Sequence, residues 1–325
     1  MNELDSLPRV PLVAAPTPLQ RAPRLSAALG SEVWLKREDM TGLGLGGNKL
    51  RGLEYLLGEA TARGCDCLVT GGGAQSNWAM LAALTSRRCG LDPYLVFYGS
   101  PAAATGNLML DNLIGADVRF TGELDRASVD VAIEKLADEL TAAGRKPYAI
   151  PRGGATALGA AGYVRVGVEL ADQFEAYGVA PSRLWLATGS CSTQAGLLAA
   201  ARWLHSPYEV VGVAVSRQPD ECITRIRALA EEANAVLGLP PTDDRGVTVL
   251  DGYLGPGYGL PSGPGAVAAQ LVARTEGVFL DPVFGAKAMA ALMDAACTGQ
   301  LDGGSVVFIV GGGAPTLFAG SEASM

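Results

Sequence analysis

Short β-branched runs alternate with longer alanine- and leucine-rich stretches along nearly the whole chain, and several runs end in glycine clusters. Residues 33–36 read as a strand, and 50–63 as an amphipathic helix that Gly64 stops. The spacing then predicts strands at 67–70, 94–98, 117–120 and 147–150, separated by helices at 76–89, 107–114 and 128–143. Beyond the glycine-rich break at 152–154, helices are expected at 157–177, 194–203, 219–237, 264–276 and 284–298, with strands at 183–187, 208–215, 246–250 and 305–310. Such alternation implies an α/β fold of open, mostly parallel sheets covered on both faces. Ligands of such sheets sit at the carboxyl ends of strands. The glycine loops 42–47, 71–73, 188–193 and 311–313 are therefore expected to converge on one crevice.

Composition removes several classes of function. A net charge of −8 argues against a surface built to neutralise nucleic-acid phosphates. No apolar run approaches the roughly 20 residues of a membrane helix, and residues 1–10 lack the pattern of a secretory leader. The cysteines (Cys65, Cys67, Cys89, Cys191, Cys222 and Cys297) have no framework spacing, which suits reduced thiols in a cytoplasmic protein. The single histidine, His205, excludes multi-histidine metal sites and disfavours a serine–histidine–aspartate hydrolase. No metal site is expected, and acid–base work falls to Lys, Tyr, Cys, Ser or carboxylates.

Four motifs carry chemistry. Gly46-Gly47-Asn48-Lys49 puts a lysine at a helix start, where the positive end of the dipole disfavours a protonated ammonium. Such a lysine suits imine formation, although a solvated lysine would also explain it. The next residue, Leu50, excludes a P-loop, and the glycine spacing misses the dinucleotide fingerprint. Gly71-Gly72-Gly73-Ala74-Gln75-Ser76-Asn77 joins a strand to a helix and offers backbone amides to an anion, or simply a Ser76 cap. Thr188-Gly189-Ser190-Cys191-Ser192-Thr193 has four hydroxyls in six residues at a helix start and suits a phosphate. Gly255-Pro256-Gly257-Tyr258-Gly259-Leu260-Pro261 holds a tyrosine between glycines, facing a ligand or serving as an ordinary turn residue.

In this order, and with Pro16-Thr17-Pro18-Leu19, Trp34-Leu35-Lys36-Arg37-Glu38-Asp39, Ala273-Arg274-Thr275-Glu276-Gly277 and Asp281-Pro282-Val283, these motifs resemble the 1-aminocyclopropane-1-carboxylate deaminase / D-cysteine desulfhydrase family. That family belongs to the fold-type II, tryptophan-synthase-β-like enzymes dependent on pyridoxal 5′-phosphate (PLP). The resemblance implies two α/β domains with PLP between them, here 1–49 plus 155–325 as the large PLP-binding domain and 50–154 as the small one. It implies that Lys49 carries the cofactor as a Schiff base and moves the α-proton. Asn77 would bond the cofactor's phenolic oxygen, with Gly189, Ser190, Cys191, Ser192 and Thr193 on its phosphate and Gly311 near its ring. Ser76 would hold the substrate carboxylate, beside Gln75, Asn77, Trp78, Tyr258 and Phe284. A small amino-acid substrate and a homodimer are implied as well.

Departures from the family concentrate at the chemistry. Phe284 stands where tyrosine is usual, Gly285 where deaminases place glutamate, and Gly311 where desulfhydrases place threonine. Trp78 replaces a common histidine or glutamine, and Gly52 a lysine that often helps bind phosphate. A weakened partner for the pyridine nitrogen disfavours opening of a cyclopropane ring. β-Elimination or β-/γ-replacement with a good leaving group tolerates it better, so a desulfhydrase-like lyase is expected. The alternatives are a deaminase with substitute groups, or an inactive homologue that binds PLP or an amino acid.

Overall fold

Side chains alternating along each strand sort the chain into two covered sheets. The computed structural model describes residues 4–240, 246–301 and 303–319. The first half runs β1 (Leu19–Arg21), α1 (Pro23–Leu29), β2 (Val33–Lys36), α2 (Leu50–Ala62), β3 (Cys67–Gly72), α3 (Asn77–Arg88), β4 (Asp92–Phe97), α4 (Gly106–Ile114), β5 (Asp117–Phe120), α5 (Ser128–Ala142) and β6 (Pro147–Ala149). The second half runs α6 (Ala157–Tyr177), β7 (Pro181–Thr188), α7 (Ser192–Trp203), β8 (Glu209–Ala214), α8 (Pro219–Leu237), β9 (Thr248–Leu250), α9 (Gly263–Glu276), α10 (Gly285–Cys297) and β10 (Ser305–Ile309).

The larger sheet has six strands in the order β1-β2-β10-β7-β8-β9, and the smaller has four in the order β5-β4-β3-β6. Every pairing is parallel except β1 with β2. In the larger sheet Val33, Leu35, Val306 and Phe308 face a cluster with Met289 and Leu292 of α10, while Leu184, Leu186, Val307 and Ile309 face Tyr163, Val166 and Leu197 of α6 and α7. In the smaller sheet Cys67 and Val69 meet Ile133 and Leu136 of α5, and Leu68 meets Leu53, Leu57 and Leu81 of α2 and α3. This period-two sorting is the mostly parallel α/β class that the alternation predicts.

The structure adds β1 and α1, which are too short to leave a periodic signal, and extends β7 by two residues at its start and one at its end. It also gives a reason for Gly52. A β-carbon there would lie 2.8 Å from the carbonyl oxygen of Gly159, because the backbones of α2 and α6 cross in contact. Lysine at this position would force the helices apart.

A buried charge cluster pins the same crossing. Arg51 donates to Glu38 at 2.8 and 3.0 Å and to both carboxylate oxygens of Glu169 at 2.9 Å. Lys36 pairs with Glu169 and donates to the carbonyl of Thr17 and to Gln173, each at 2.8 Å. Thr17 Oγ1 donates to Glu38 at 2.6 Å. Two cations and two carboxylates balance, and Lys36, Glu38 and Arg51 are almost fully buried. Removing one member strands an opposite charge without water, at a cost of about 3–5 kcal/mol. Arg51→Met is therefore expected to lower the urea midpoint by that equivalent; a midpoint within about 1 kcal/mol of wild type would contradict the role given to the cluster.

Candidate active site

The carboxyl ends of β3, β7, β8 and β10 open onto one cleft between the two sheets. The space between its walls is about 1070 Å³ when the open side is counted. Gly71–Gly73 line it from β3, Gly189, Ser190 and Thr193 from the turn into α7, Ser216 and Arg217 from beyond β8, and Gly311 and Gly312 from beyond β10. Three of the four glycine loops thus reach the cleft. Loop 42–47 lies behind it and delivers Asn48 and Lys49 to the wall.

Lys49 is the residue on which α2 begins. Asn48 fixes its backbone. Asn48 N–H donates to the carbonyl of Gly311 at 2.9 Å, its side-chain amide donates to Thr193 Oγ1 at 3.2 Å, and its carbonyl accepts from Tyr163 at 2.8 Å. The Lys49 ammonium reaches Ser190 Oγ at 3.5 Å. Burial lowers its pKa to about 8, because the charged form loses hydration.

The residues after β3 divide in their placement. Ser76 both lines the cleft and caps α3, accepting Ala79 N–H at 3.2 Å. Asn77 lines the cleft and accepts from Asn107 at 2.7 Å. Gln75 does not line it. Its amide donates to the carbonyl of Thr105 and accepts Asn107 N–H, each at 2.9 Å, so it ties the start of α4 to the loop. Trp78 presents an edge to the cleft but is only 4% exposed. Its indole donates to Thr70 at 2.9 Å and its ring lies beneath Gly154. Gly154 has φ +64° and no room for a β-carbon above that ring, so the break at 152–154 is a packing requirement.

In the hydroxyl-rich turn, Cys191 and Ser192 point away from the cleft. Cys191 is buried in the left-handed region, with φ 78°, and Ser192 donates to the carbonyl of Gly154 at 3.3 Å. Tyr258 and Phe284 meet edge to face across the cleft, with ring centres 6.2 Å apart. Burial raises the pKa of the Tyr258 phenol. The backbone leading into Tyr258 is held by Lys287, which donates to the carbonyls of Leu254 at 2.7 Å and Gly257 at 3.2 Å.

Sequence reasoning missed Tyr98, Arg126, Arg152, Ser216, Arg217 and Asp281, all of which line the cleft. Arg126 and Arg217 lie in loops that carry no motif, and Arg152 opens the glycine-rich break at 152–154. Asp281 belongs to a recognised motif, but its direction is a tertiary property. It accepts from the backbone N–H groups of Val283, Phe284 and Gly285, and burial raises its pKa to about 6. A β-carbon on Gly285 would lie 3.1 Å from its carboxylate oxygen.

Two parallel-sheet units with a lysine on a cleft at their strand ends define the fold-type II class of PLP enzymes. The chain belongs to the pyridoxal-phosphate dependent enzyme family, whose model matches residues 10–312. It is 39% identical, over 98% of both chains, to the D-cysteine desulfhydrases of Salmonella newport (strain SL254) and Salmonella typhi. A crystal structure of an ACC deaminase homologue superposes with a TM-score of 0.92 at 38% identity, covering 98% of this chain and 95% of that one. Threonine deaminase isoform 2 from Solanum lycopersicum shares the fold alone, with a TM-score of 0.70 at 18% identity, covering 96% and 83%.

The cleft fits PLP. A lysine of depressed pKa opens onto it. The start of α7 turns a serine and a threonine toward it, at the end of a helix that favours anions. Gly189 and Gly311 leave bare backbone where β-carbons would project at 3.4 Å from Phe284 and 3.6 Å from Asn48, respectively. A planar ring can occupy that space.

The lysine makes a measurable prediction. With its pKa near 8, the neutral amine of Lys49 increases tenfold per pH unit below that value and is saturated above it. In the PLP-free protein, reductive methylation of Lys49 by formaldehyde, quantified by peptide mass spectrometry, should level off just above pH 8. A rate that keeps climbing toward the ordinary lysine value of about 10.4 would contradict the assignment.

Proposed function

We propose that this protein is a lyase that removes the α-proton of a small amino acid and expels a group from its β-carbon. One observation carries the reading: a lysine of lowered pKa faces a cleft that also offers a phosphate cradle at a helix start and a carboxylate site at a second one. When bound, PLP supplies the electron sink for the pair left by α-proton removal. Lys49 holds the cofactor and carries the proton. The amides and hydroxyls of Gly189, Ser190 and Thr193 hold its phosphate, with Cys191 and Ser192 shaping the turn. Asn77 orients its ring, and the bare backbone of Gly311 leaves room beside it. Ser76 and its neighbouring amides orient the substrate carboxylate. Trp78, Tyr258 and Phe284 enclose the side chain, and their rings exclude water. Gln75 acts through Asn107 rather than by touching substrate.

Phe284 has no proton to give and Gly285 no carboxylate. This favours elimination of a good leaving group over opening of a cyclopropane ring. The relatives' names as D-cysteine desulfhydrases make D-cysteine the first substrate to try. In this reading 50–154 forms the small domain and 1–49 plus 155–325 the large one, and the protein works as a cytoplasmic homodimer. Among the described residues no helix is long and apolar enough to cross a membrane.

With PLP added, borohydride reduction is expected to fix a pyridoxyl group on Lys49 alone, and D-cysteine to yield sulfide, pyruvate and ammonia. Lys49→Ala should lower that turnover by at least about 10³-fold. A pyridoxyl label on another lysine, or rapid ammonia release from 1-aminocyclopropane-1-carboxylate with none from β-substituted amino acids, would refute the reading.

A further inference from the structure

The cleft has a strongly cationic wall that the proposed lyase chemistry leaves unexplained. Arg126, Arg152 and Arg217 all line it, from the loop before α5, the turn before α6 and the loop after β8. Asp281 is the only carboxylate among the lining residues, and three backbone N–H groups already occupy it. A PLP phosphate has its own cradle at the start of α7, on Ser190 and Thr193.

The three arginines differ in how far they are neutralised. Arg152 makes a forked pair with Asp130 at 2.6 and 2.9 Å. Arg217 donates one guanidinium nitrogen to Glu221 at 2.6 Å, while its Nε is buried without an acceptor among the described residues. Arg126 has no carboxylate partner among the described residues. Its guanidinium lies 4.5 Å over the ring of Tyr258 and donates weakly to the hydroxyl and carbonyl of Ser216, at 3.4 and 3.3 Å. Arg126 thus links the Ser216–Arg217 loop to Tyr258, the residue that faces substrate in the proposed site. All three positive charges also oppose the rise that burial causes in the Tyr258 pKa.

Arg126, partly buried on the cleft wall and without a carboxylate partner among the described residues, is free to pair with an anionic group of a ligand. We propose that Arg126 and Arg217, supported by Arg152, form a side-chain subsite that selects amino acids bearing a second anionic group, a carboxylate, sulfonate or phosphate, on the β-carbon. This inference rests on the PLP-lyase reading and deepens it. The arginines are specificity determinants, and the chemistry stays with Lys49. The wall binds the side-chain anion while the amides around Ser76 take the α-carboxylate. It therefore discriminates by charge, a distinction that the enclosing rings of Trp78 and Phe284 cannot make.

Aspartate and asparagine are suitable probes, because they are nearly isosteric, differ in side-chain charge, and lack a good β-leaving group. Binding of each, in both enantiomers, is measured by calorimetry and by the visible spectrum of the PLP-loaded protein at fixed ionic strength. Aspartate of the productive hand is expected to bind about 10- to 100-fold more tightly than asparagine, with the preference shrinking as salt rises. Arg126→Gln and Arg217→Gln, each checked for PLP absorbance, should each reduce the aspartate-to-asparagine preference by about tenfold. Equal binding of aspartate and asparagine by the wild type, or a preference unchanged in both variants, overturns the subsite while leaving the lyase reading in place. Failure of the wild type to develop any visible band with PLP overturns the lyase reading and the inference together.

Discussion

Arg51 holds together the part of the molecule on which the site depends. It sits two residues after Lys49, fully buried, with one carboxylate from the turn after β2 and another from α6 locked to its guanidinium. Burying such charges is unfavourable unless every one is met, and here each cation faces a carboxylate, Lys36 also donates to Thr17 and Gln173, and Thr17 donates to Glu38. The result is a rigid crossing of α2 over α6. Lys49 stands at the near end of that crossing, so its position is set before any ligand arrives. Burial lowers the pKa of Lys36 within the cluster despite the pull of Glu169, a sign of how dry the crossing is.

Glycine performs the complementary task. Where α2 and α6 touch, Gly52 and Gly162 remove the β-carbons that would hold the backbones apart. In the cleft, Gly71–Gly73, Gly189 and Gly311 expose backbone to whatever binds. The same residue type thus makes a tight helix contact in one place and an open wall in another, which is the physical content of a composition with 43 glycines.

Much of the candidate site could be read from the sequence because its anchors lie in local motifs. Lys49, Ser76, Asn77 and the 189–193 turn occupy helix starts after glycine loops, and helix starts announce themselves through capping and spacing. The larger strands were legible through their alternation, whereas the three-residue β1 was not. Gln75 and Cys191 illustrate the limit. Both lie within recognisable motifs, yet Gln75 is spent on Thr105 and Asn107, and Cys191 is buried in a left-handed turn. A motif identifies a loop. It does not say which side chains of that loop face inward.

By itself the sequence determined the alternating α/β architecture, the strand-end glycine loops and the lysine at a helix start, because periodicity and helix-end chemistry are local. Only the tertiary structure decided that Arg126, Arg152 and Arg217 share one wall, that Asp281 turns inward and that Lys287 staples the Tyr258 loop. The three arginines are separated from one another by tens of positions along the chain. No local signal records which distant loops will be brought to the same cleft, and the charge that the cleft offers to a ligand exists only once they are.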